Sequence, residues 1–153
     1  MKGVLVIDKP QGPTSHDICN YFKRTLPVKK VGHAGTLDPL ATGVLVILLD
    51  EACKLQSTFM RGDKEYQFTM RLGVSTDTYD SEGKMTETKE VPADALEKLK
   101  PLLKEFTGEI LQTPPAFSAI KKNGVPLYKL ARAGKPVCAD PRSIRIDSLE
   151  IVE

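Results

Sequence analysis

The stretch GHAGTLDPLATGVLVILL, residues 32–49, sets a single carboxylate, Asp38, among three glycines and a proline. The aliphatic run at its end, residues 44–49, is too short and too apolar for a surface element and predicts a central buried strand. Pro39 disfavours helical backbone at Asp38 and fits the first position of a following turn or short helix. Residue type alone therefore favours a helix N-cap at Asp38.

A catalytic interpretation of the same carboxylate rests on its surroundings. Gly32, Gly35 and Gly43 are residues of the type used where a chain turns sharply or where another molecule approaches the backbone. A carboxylate held against the aliphatic run would be poorly hydrated, which suits a nucleophile or a general base. Sequence pattern alone leaves both interpretations open.

The rest of the chain alternates short strands with amphipathic helices. Residues 3–8 predict a buried strand, and Thr14 with Asp17 forms a capping box for a helix that ends before Pro27. The further predicted elements are a helix at 51–60, a strand at 65–74, a helix at 91–108 with a kink at Pro101, a helix at 127–134 and a strand at 142–153. This order predicts an α+β fold with a mixed, largely antiparallel sheet flanked by helices.

Composition excludes several classes of protein. The chain has 153 residues, of which 41% are hydrophobic, as is ordinary for one soluble globular domain. No window approaches the roughly 18 apolar residues of a membrane span, and Asp8 and Lys9 interrupt any signal-peptide core, so we expect a cytoplasmic protein. The three cysteines include no C-x-x-C pair, which argues against a zinc knuckle and a disulfide framework.

Positive charge is concentrated in one segment. The net charge of +2 says little about partners, but residues 110–139 hold five lysines and arginines and no acid. The five are Lys121, Lys122, Lys129, Arg132 and Lys135. Such a segment is a candidate surface for phosphate groups, although the ordinary interpretation is a solvated helix face.

Five segments follow one another in an order typical of one enzyme family. They are KPQGPTS (9–15), VGHAGTLDPLATGVLVI (31–47), DKEYQ (63–67), RLGVSTDTYDSEG (71–83) and PPAFSAIKKNGVPLYKLARAGK (114–135). In this order they resemble the TruB family of bacterial tRNA pseudouridine-55 synthases. The resemblance implies a pseudouridine synthase catalytic domain that isomerises one uridine in the T-loop of tRNA, with the T-arm stem-loop as its partner. It also implies that no metal, nucleotide or redox cofactor is required, and the lack of a long apolar window predicts that no membrane is involved.

The resemblance implies specific roles for three residues. Asp38 corresponds to the essential catalytic aspartate, which acts either on the base or at the ribose. Tyr66 corresponds to the tyrosine that packs on the flipped uracil, whereas alternation alone would make it a core strand residue beside Phe68. His33 corresponds to the histidine that inserts into the T-loop, whereas a histidine in a glycine-rich loop is otherwise a turn residue.

A second set of positions is implied to support the site or to hold RNA. Asp80 corresponds to an acidic position in the electrostatic network around the aspartate, and the alternative is a solvated turn with Asp77 and Glu82. Lys9 and Ser15 belong to a motif that provides structural support beneath the catalytic loop. The remaining assignments are Gly35 and Thr36 to the supporting network, and Lys64, Lys121, Lys122, Lys129 and Arg132 to RNA binding through phosphates.

Full-length members of the family are longer than this chain. They continue into a second half of the catalytic domain, where an arginine pairs with the aspartate, and usually end in a small RNA-binding domain. We therefore expect residues 1–153 to be the N-terminal part of an incomplete catalytic domain, with an open sheet edge and little or no turnover alone unless a second chain completes it. Exposed apolar surface would also allow self-association. Two alternative functions remain, namely an RNA-hairpin binding module without chemistry and a guide-RNA-dependent pseudouridine synthase.

Overall fold

The computed structural model describes residues 2–118, 120–122, 124–134, 137 and 139–152, apart from the side chains of Lys121 and Lys122. The sequence predictions for Lys135 and Cys138 concern residues outside this set. The chain forms two compact units, Met1–Gln67 and Phe68–Glu153. Every helix in the described ranges is too short or too polar to span a lipid bilayer.

A three-stranded antiparallel sheet is the framework of the first unit. Its strands β1 (Gly3–Lys9), β2 (Val31–His33) and β3 (Gly43–Leu49) lie in the order β1-β3-β2. The register places Lys9 opposite Gly43 and His33 opposite Ile47. The prediction of a central strand at residues 44–49 is therefore confirmed.

A single helix packs on one face of this sheet. Helix α1 (Ser15–Thr25) begins at the predicted capping box, in which the Thr14 hydroxyl accepts from the Asp17 N–H at 3.1 Å and the Asp17 carboxylate accepts from the Thr14 N–H at 2.9 Å. The buried cluster between helix and sheet consists of Cys19, Leu45, Ile47 and Leu49, each at most 4% exposed. Burying an aliphatic side chain stabilises a fold by about 1.5–3 kcal/mol, so this cluster holds α1 and β3 together.

The opposite face of β3 carries a smaller core. Successive strand residues face opposite sides, so Leu48 packs with Ala34 and Ala52 in a second buried cluster. A 3-10 helix (Asp50–Leu55) and helix α2 (Gln56–Met60) follow β3. The helix predicted for residues 51–60 is thus observed as two consecutive helical segments.

The predicted strand at residues 65–74 is wrong. Residues 63–71 have no regular secondary structure, and strand β4 covers only Val74–Thr76. Tyr66 and Phe68 are each 67% exposed. An alternating pattern becomes a strand only where a neighbouring strand supplies hydrogen bonds, and no strand in the described part of the chain pairs with residues 63–71.

Short helices and two-stranded sheets build the second unit. After β4, its elements are β5 (Met85–Thr88), α3 (Ala95–Leu102) with a following 3-10 turn (Leu103–Phe106), β6 (Gly108–Gln112), β7 (Lys121–Lys122), β8 (Val125–Pro126), α4 (Leu127–Arg132) and β9 (Arg142–Ile146). Strand β4 pairs with β5, β6 with β9 and β7 with β8, all antiparallel. Gly108 begins a strand, where the sequence predicted only the end of a helix. The predicted α+β class with largely antiparallel pairing is confirmed.

Candidate active site

Asp38 lies at the start of a tight turn between β2 and β3. The N–H of Ala41 donates a hydrogen bond to the Asp38 carbonyl oxygen at 3.0 Å, and Pro39 occupies the second position of the turn. No helix of the described chain begins here, so the N-cap prediction is wrong. Asp and Pro are also favoured at the first two positions of a β-turn, which is why residue type could not separate the two structures.

The Asp38 carboxylate is open to solvent. The residue is exposed, and no described residue donates a hydrogen bond to its side chain. The expectation of a poorly hydrated carboxylate packed on the aliphatic run is therefore wrong. Residues 45–49 of the run contribute to the two buried clusters, whereas Val44 is 72% exposed, and Asp38 belongs to neither cluster.

Ser15 holds the residue that precedes Asp38. Ser15 is only 2% exposed. Its hydroxyl donates to the Leu37 carbonyl oxygen at 3.0 Å and accepts from the Leu37 N–H at 2.9 Å. Both backbone polar groups of Leu37 are therefore satisfied by one side chain of α1.

Lys9 holds the residue that follows Asp38. Its side chain is fully buried, with 0% of the residue exposed. The ammonium donates to the carbonyl oxygens of Pro10 at 3.0 Å, Pro13 at 2.9 Å and Pro39 at 3.4 Å, and the Gly12 N–H donates to the same Pro39 oxygen at 2.8 Å. A buried ammonium needs such acceptors in place of water. These bonds tie the loop after β1 to the turn that carries the aspartate; an effect of Lys9 on catalysis stays a prediction.

His33 lies at the end of β2 with its ring partly buried. Its Nδ1 is 2.5 Å from the Gly35 carbonyl oxygen. A carbonyl oxygen only accepts, so Nδ1 carries a proton and donates this hydrogen bond. Gly35 has a φ of +126°, and no atom lies within 4 Å of a Cβ built there, so backbone conformation and not space requires glycine. The Thr36 side chain is exposed, and its supporting role stays a prediction.

Tyr66 lies outside regular structure and is not a core residue. It is 67% exposed, so the alternative interpretation as a core strand residue is wrong. Among the described residues, no hydrogen bond or ring contact joins Tyr66 to Asp38. The tyrosine ring is open to solvent, and its role against a flipped base stays a prediction.

Lys64 contacts carbonyl groups at the end of α2. Its ammonium lies 2.5 Å from the Gly62 carbonyl oxygen and 3.4 Å from those of Phe59 and Met60. The C-terminal carbonyls of a helix attract a cation. A contact between Lys64 and RNA would have to replace or share these bonds.

Asp80 organises an exposed turn in the second unit. One oxygen of its carboxylate accepts from the Thr78 hydroxyl at 2.6 Å, the Glu82 N–H at 3.0 Å and the Gly83 N–H at 3.2 Å. Asp77 makes a similar bond with the Lys84 N–H at 2.8 Å. These bonds are the ones expected if Asp80 stabilises a solvated turn. An electrostatic network with Asp38 stays a prediction.

Two basic residues of the RNA-binding set lie on α4. Lys129 and Arg132 are exposed and three positions apart, so they share one side of the helix. The Arg132 guanidinium lies 5.6 Å from the centroid of the Tyr128 ring, within the range of a cation–π contact. Lys121 and Lys122 contribute backbone to β7, but their side chains lie outside the described structure.

Two residues that hydrogen-bond to the backbone of the site were not predicted from the sequence, because their partners are distant in the chain. The Gly12 N–H binds the Pro39 carbonyl oxygen, and the Gln56 amide donates to the His33 carbonyl oxygen at 2.8 Å. No periodic pattern signals such pairs. An apolar groove of about 520 Å³ lies in the second unit between residues 70–75 and α3, and none of the predicted site residues lines it.

Comparison with known proteins assigns the chain to a family. Residues 23–153 match the model of the TruB family pseudouridylate synthase (N terminal domain). The tRNA pseudouridine synthase B of Aquifex aeolicus is 49% identical over 152 residues, which cover 99% of this chain and 53% of that protein. The tRNA pseudouridine synthase B of Opitutus terrae is 44% identical over 151 residues, covering 99% of this chain and 63% of that protein.

A solved structure shares the fold. A chain in the crystal structure of a Cbf5-Nop10-Gar1 complex aligns with a TM-score of 0.56 and 29% identity, covering 97% of this chain and 36% of that chain. The class defined by this architecture and the family match is the N-terminal domain of a pseudouridylate synthase. The chain belongs to the TruB family. It spans about half the length of the curated relatives it matches, between 47% and 63% of each.

Proposed function

We propose that the protein carrying this chain isomerises a uridine of tRNA to pseudouridine, at position 55 of the T-loop, with Asp38 as the essential catalytic residue. The observation that carries the proposal is the exposure of the Asp38 carboxylate on an anchored turn. This carboxylate is exposed and receives no hydrogen bond from the described residues, while the backbone on both sides is anchored. The relatives named tRNA pseudouridine synthase B, which match 99% of the chain, support the choice of reaction and of tRNA as substrate.

The reaction suits a site built from side chains alone. The bond between N1 of uracil and C1′ of ribose breaks, the base rotates, and C5 bonds to C1′. C5 then loses its proton and N1 gains one, so composition and redox state are unchanged. An exposed carboxylate is compatible with attack either on the uracil ring or at C1′. The proposal therefore includes no cofactor, and we place the reaction in the cytoplasm.

Access to the uridine requires that the base leaves its stack. Flipping costs a few kcal/mol, and stacking on an aromatic ring returns about 1–3 kcal/mol per base. Tyr66 is the exposed ring that we assign to the flipped uracil, and its hydroxyl is assigned to proton removal from C5. His33, at the end of β2, is assigned to the space that the base vacates in the T-loop.

RNA affinity is assigned to cations distributed over both units. Lys129 and Arg132 on α4 are exposed, and no described acid forms an ion pair with either. Phosphate contacts from such residues supply affinity and salt dependence without reading sequence. Lys64, Lys121 and Lys122 complete the proposed set. Asp80, Gly35, Thr36 and Lys9 are proposed to maintain the site without contacting the uridine.

The decisive experiment replaces Asp38 by asparagine in the whole protein that carries this chain, called here the natural-length protein. It follows pseudouridine formation in a T-arm hairpin. We expect conversion to be abolished and the hairpin Kd to change by less than about threefold, since only a transition-state interaction is removed. Asp8→Asn is the matched control, because Asp8 is an exposed carboxylate of β1 in the same unit. Undiminished conversion by Asp38→Asn would exclude Asp38 as the catalyst.

The same assay separates the two alternative functions. A binding module would retain the hairpin without converting it, even with Asp38 present. A guide-RNA-dependent enzyme would leave an isolated hairpin unmodified until guide RNA was added. Residues 1–153 alone are proposed to turn over slowly and to self-associate, which comparison with the natural-length protein in the same assay and sedimentation of the fragment would measure.

A further inference from the structure

The Ser15 hydroxyl makes two hydrogen bonds with the backbone of one residue. It donates to the carbonyl oxygen of Leu37 and accepts from the N–H of Leu37, at 3.0 and 2.9 Å. The Leu37 carbonyl belongs to the same planar peptide unit as the N–H of Asp38. The hydroxyl therefore fixes the orientation of the peptide that enters Asp38.

The central peptide of the turn, between Pro39 and Leu40, is fixed independently. The Pro39 carbonyl oxygen accepts from the Gly12 N–H at 2.8 Å and from the Lys9 ammonium at 3.4 Å. The Leu37 side chain packs against the cluster between α1 and β3. The Asp38 carboxylate has no hydrogen-bond donor among the described residues, so within these residues only the backbone that carries it constrains the direction of its side chain.

We propose that Ser15 is a positioning residue for Asp38, holding the 37–38 peptide in the orientation that aims the carboxylate at the substrate. This inference rests on the proposed function, in which Asp38 is the catalyst. Ser15 is 2% exposed and lies beneath the turn, so it does not itself touch RNA. Its loss therefore affects the chemical step and leaves substrate binding almost unchanged.

The test compares three substitutions of Ser15 in the natural-length protein acting on a T-arm hairpin. Ser15→Ala and the similarly sized Ser15→Cys are expected to lower kcat roughly 10- to 100-fold with KM within about threefold, because misplacement by about 1 Å can cost that much. Ser15→Thr retains the hydroxyl and is expected to recover most of kcat. A Ser15→Ala enzyme with unchanged kcat would overturn the proposal.

A control separates positioning from general destabilisation. Leu48→Val weakens the second buried cluster, on the face of β3 away from Leu37. If Ser15 only supported the fold, Ser15→Ala and Leu48→Val would show equal kcat at a temperature where both are folded. Positioning requires that only the Ser15 variant loses kcat.

A second readout does not depend on activity. Amide hydrogen exchange at Leu37 is expected to accelerate in Ser15→Ala but not in Leu48→Val, because the acceptor of the Leu37 N–H is removed only in the first. A wild-type protein that converts no hairpin would refute the proposed function but not this geometry. Exchange at Leu37 then decides: accelerated exchange supports Ser15 as the residue that holds the 37–38 peptide, and unchanged protection overturns it.

Discussion

The ammonium group of Lys9 donates a hydrogen bond to the carbonyl oxygen of Pro39 at 3.4 Å, although 30 residues separate the two in the chain. Lys9 is 0% exposed, and two further carbonyl oxygens, of Pro10 and Pro13, lie within 3.0 Å of the same group. The loop after β1 and the Asp38 turn thus share one buried cation. The conformation of the aspartate turn depends on this contact between distant segments.

Removing the Lys9 charge should destabilise the first unit. Lys9→Met keeps most of the aliphatic stem but leaves the Pro10 and Pro13 carbonyls without this donor, and an unsatisfied buried acceptor costs about 1–3 kcal/mol. We expect the free energy of unfolding, measured by urea unfolding, to fall by that amount. Lys23→Met on α1 is the control, because Lys23 is exposed and should change stability by less than about 0.5 kcal/mol. Equal stability of the two variants would contradict the prediction.

The capping box of α1 should contribute to acid sensitivity. Hydrogen bonds from the Thr14 side chain and backbone lower the pKa of Asp17. A lowered pKa means that the folded state binds this proton less readily than the unfolded state. The stabilisation is therefore present above the unfolded pKa of about 3.9 and is lost as pH falls through the lower folded value.

Asp17→Asn should consequently flatten the loss of stability below about pH 4. Urea unfolding at a series of pH values measures this effect. Thr14→Ala removes the main donor to the same carboxylate, so the double variant should show less than the sum of the single effects. Additive effects would indicate that Thr14 does not cause the acid dependence.

The buried thiol of α1 should react slowly. Burial, and then the neighbouring Cys53, raise the pKa of Cys19 above its usual value. Iodoacetamide at pH 8 should label the partly exposed Cys53 before Cys19, and mass spectrometry of peptides should detect Cys19 labelling only as urea unfolds the protein. Because the raised pKa keeps the folded thiol protonated, its stabilising contribution is present below the unfolded pKa and is lost as pH rises through the folded value. Rapid native labelling of Cys19 would contradict its burial.

Replacing Gly83 should destabilise the turn organised by Asp80. A Cβ at this position would collide with the Thr78 hydroxyl and lie 2.8 Å from the Asp77 carboxylate. Gly83→Ala is expected to cost about 1–3 kcal/mol, since overpacking forces the turn to move. Gly62→Ala is the control, because a Cβ there meets its nearest atom at an ordinary 3.5 Å. Thermal unfolding of both variants measures the difference, and equal melting temperatures would show that the turn adapts.

The basic side of α4 should determine part of the salt dependence of RNA binding. Lys129→Gln and Arg132→Gln should each lower the slope of log K against log salt by about 0.7–0.9, the value for one lost phosphate contact. Fluorescence anisotropy of a labelled T-arm hairpin at several salt concentrations measures the slope. Lys23→Gln on α1 is the control substitution. An unchanged slope in both α4 variants would place the RNA elsewhere.

Local signals in the sequence were sufficient for the elements that depend on short-range interactions. Helix α1 begins at a capping box formed within four residues and ends before Pro27, and β3 is an uninterrupted aliphatic run. Both predictions are confirmed because capping, proline geometry and burial of consecutive apolar residues operate over a few positions. The family resemblance, which depends on the order of whole segments, is likewise confirmed by the match of residues 23–153.

Other features depended on partners that no local pattern identifies. The alternation at residues 65–74 predicted a strand, but most of the segment has no neighbouring strand, and a strand needs a partner for its hydrogen bonds. Asp38 before Pro39 suited both an N-cap and a turn, and only the Ala41 bond distinguishes them.

By itself, the sequence determined the family and the α+β class, and it predicted Asp38 as the aspartate of the proposed chemistry. Only the tertiary structure decided how that aspartate is held, with the 37–38 peptide bound by Ser15 and the Pro39 carbonyl bound by Gly12 and Lys9. The reason is physical: a hydrogen bond between segments 22 or 30 residues apart forms only after folding brings donor and acceptor within about 3 Å.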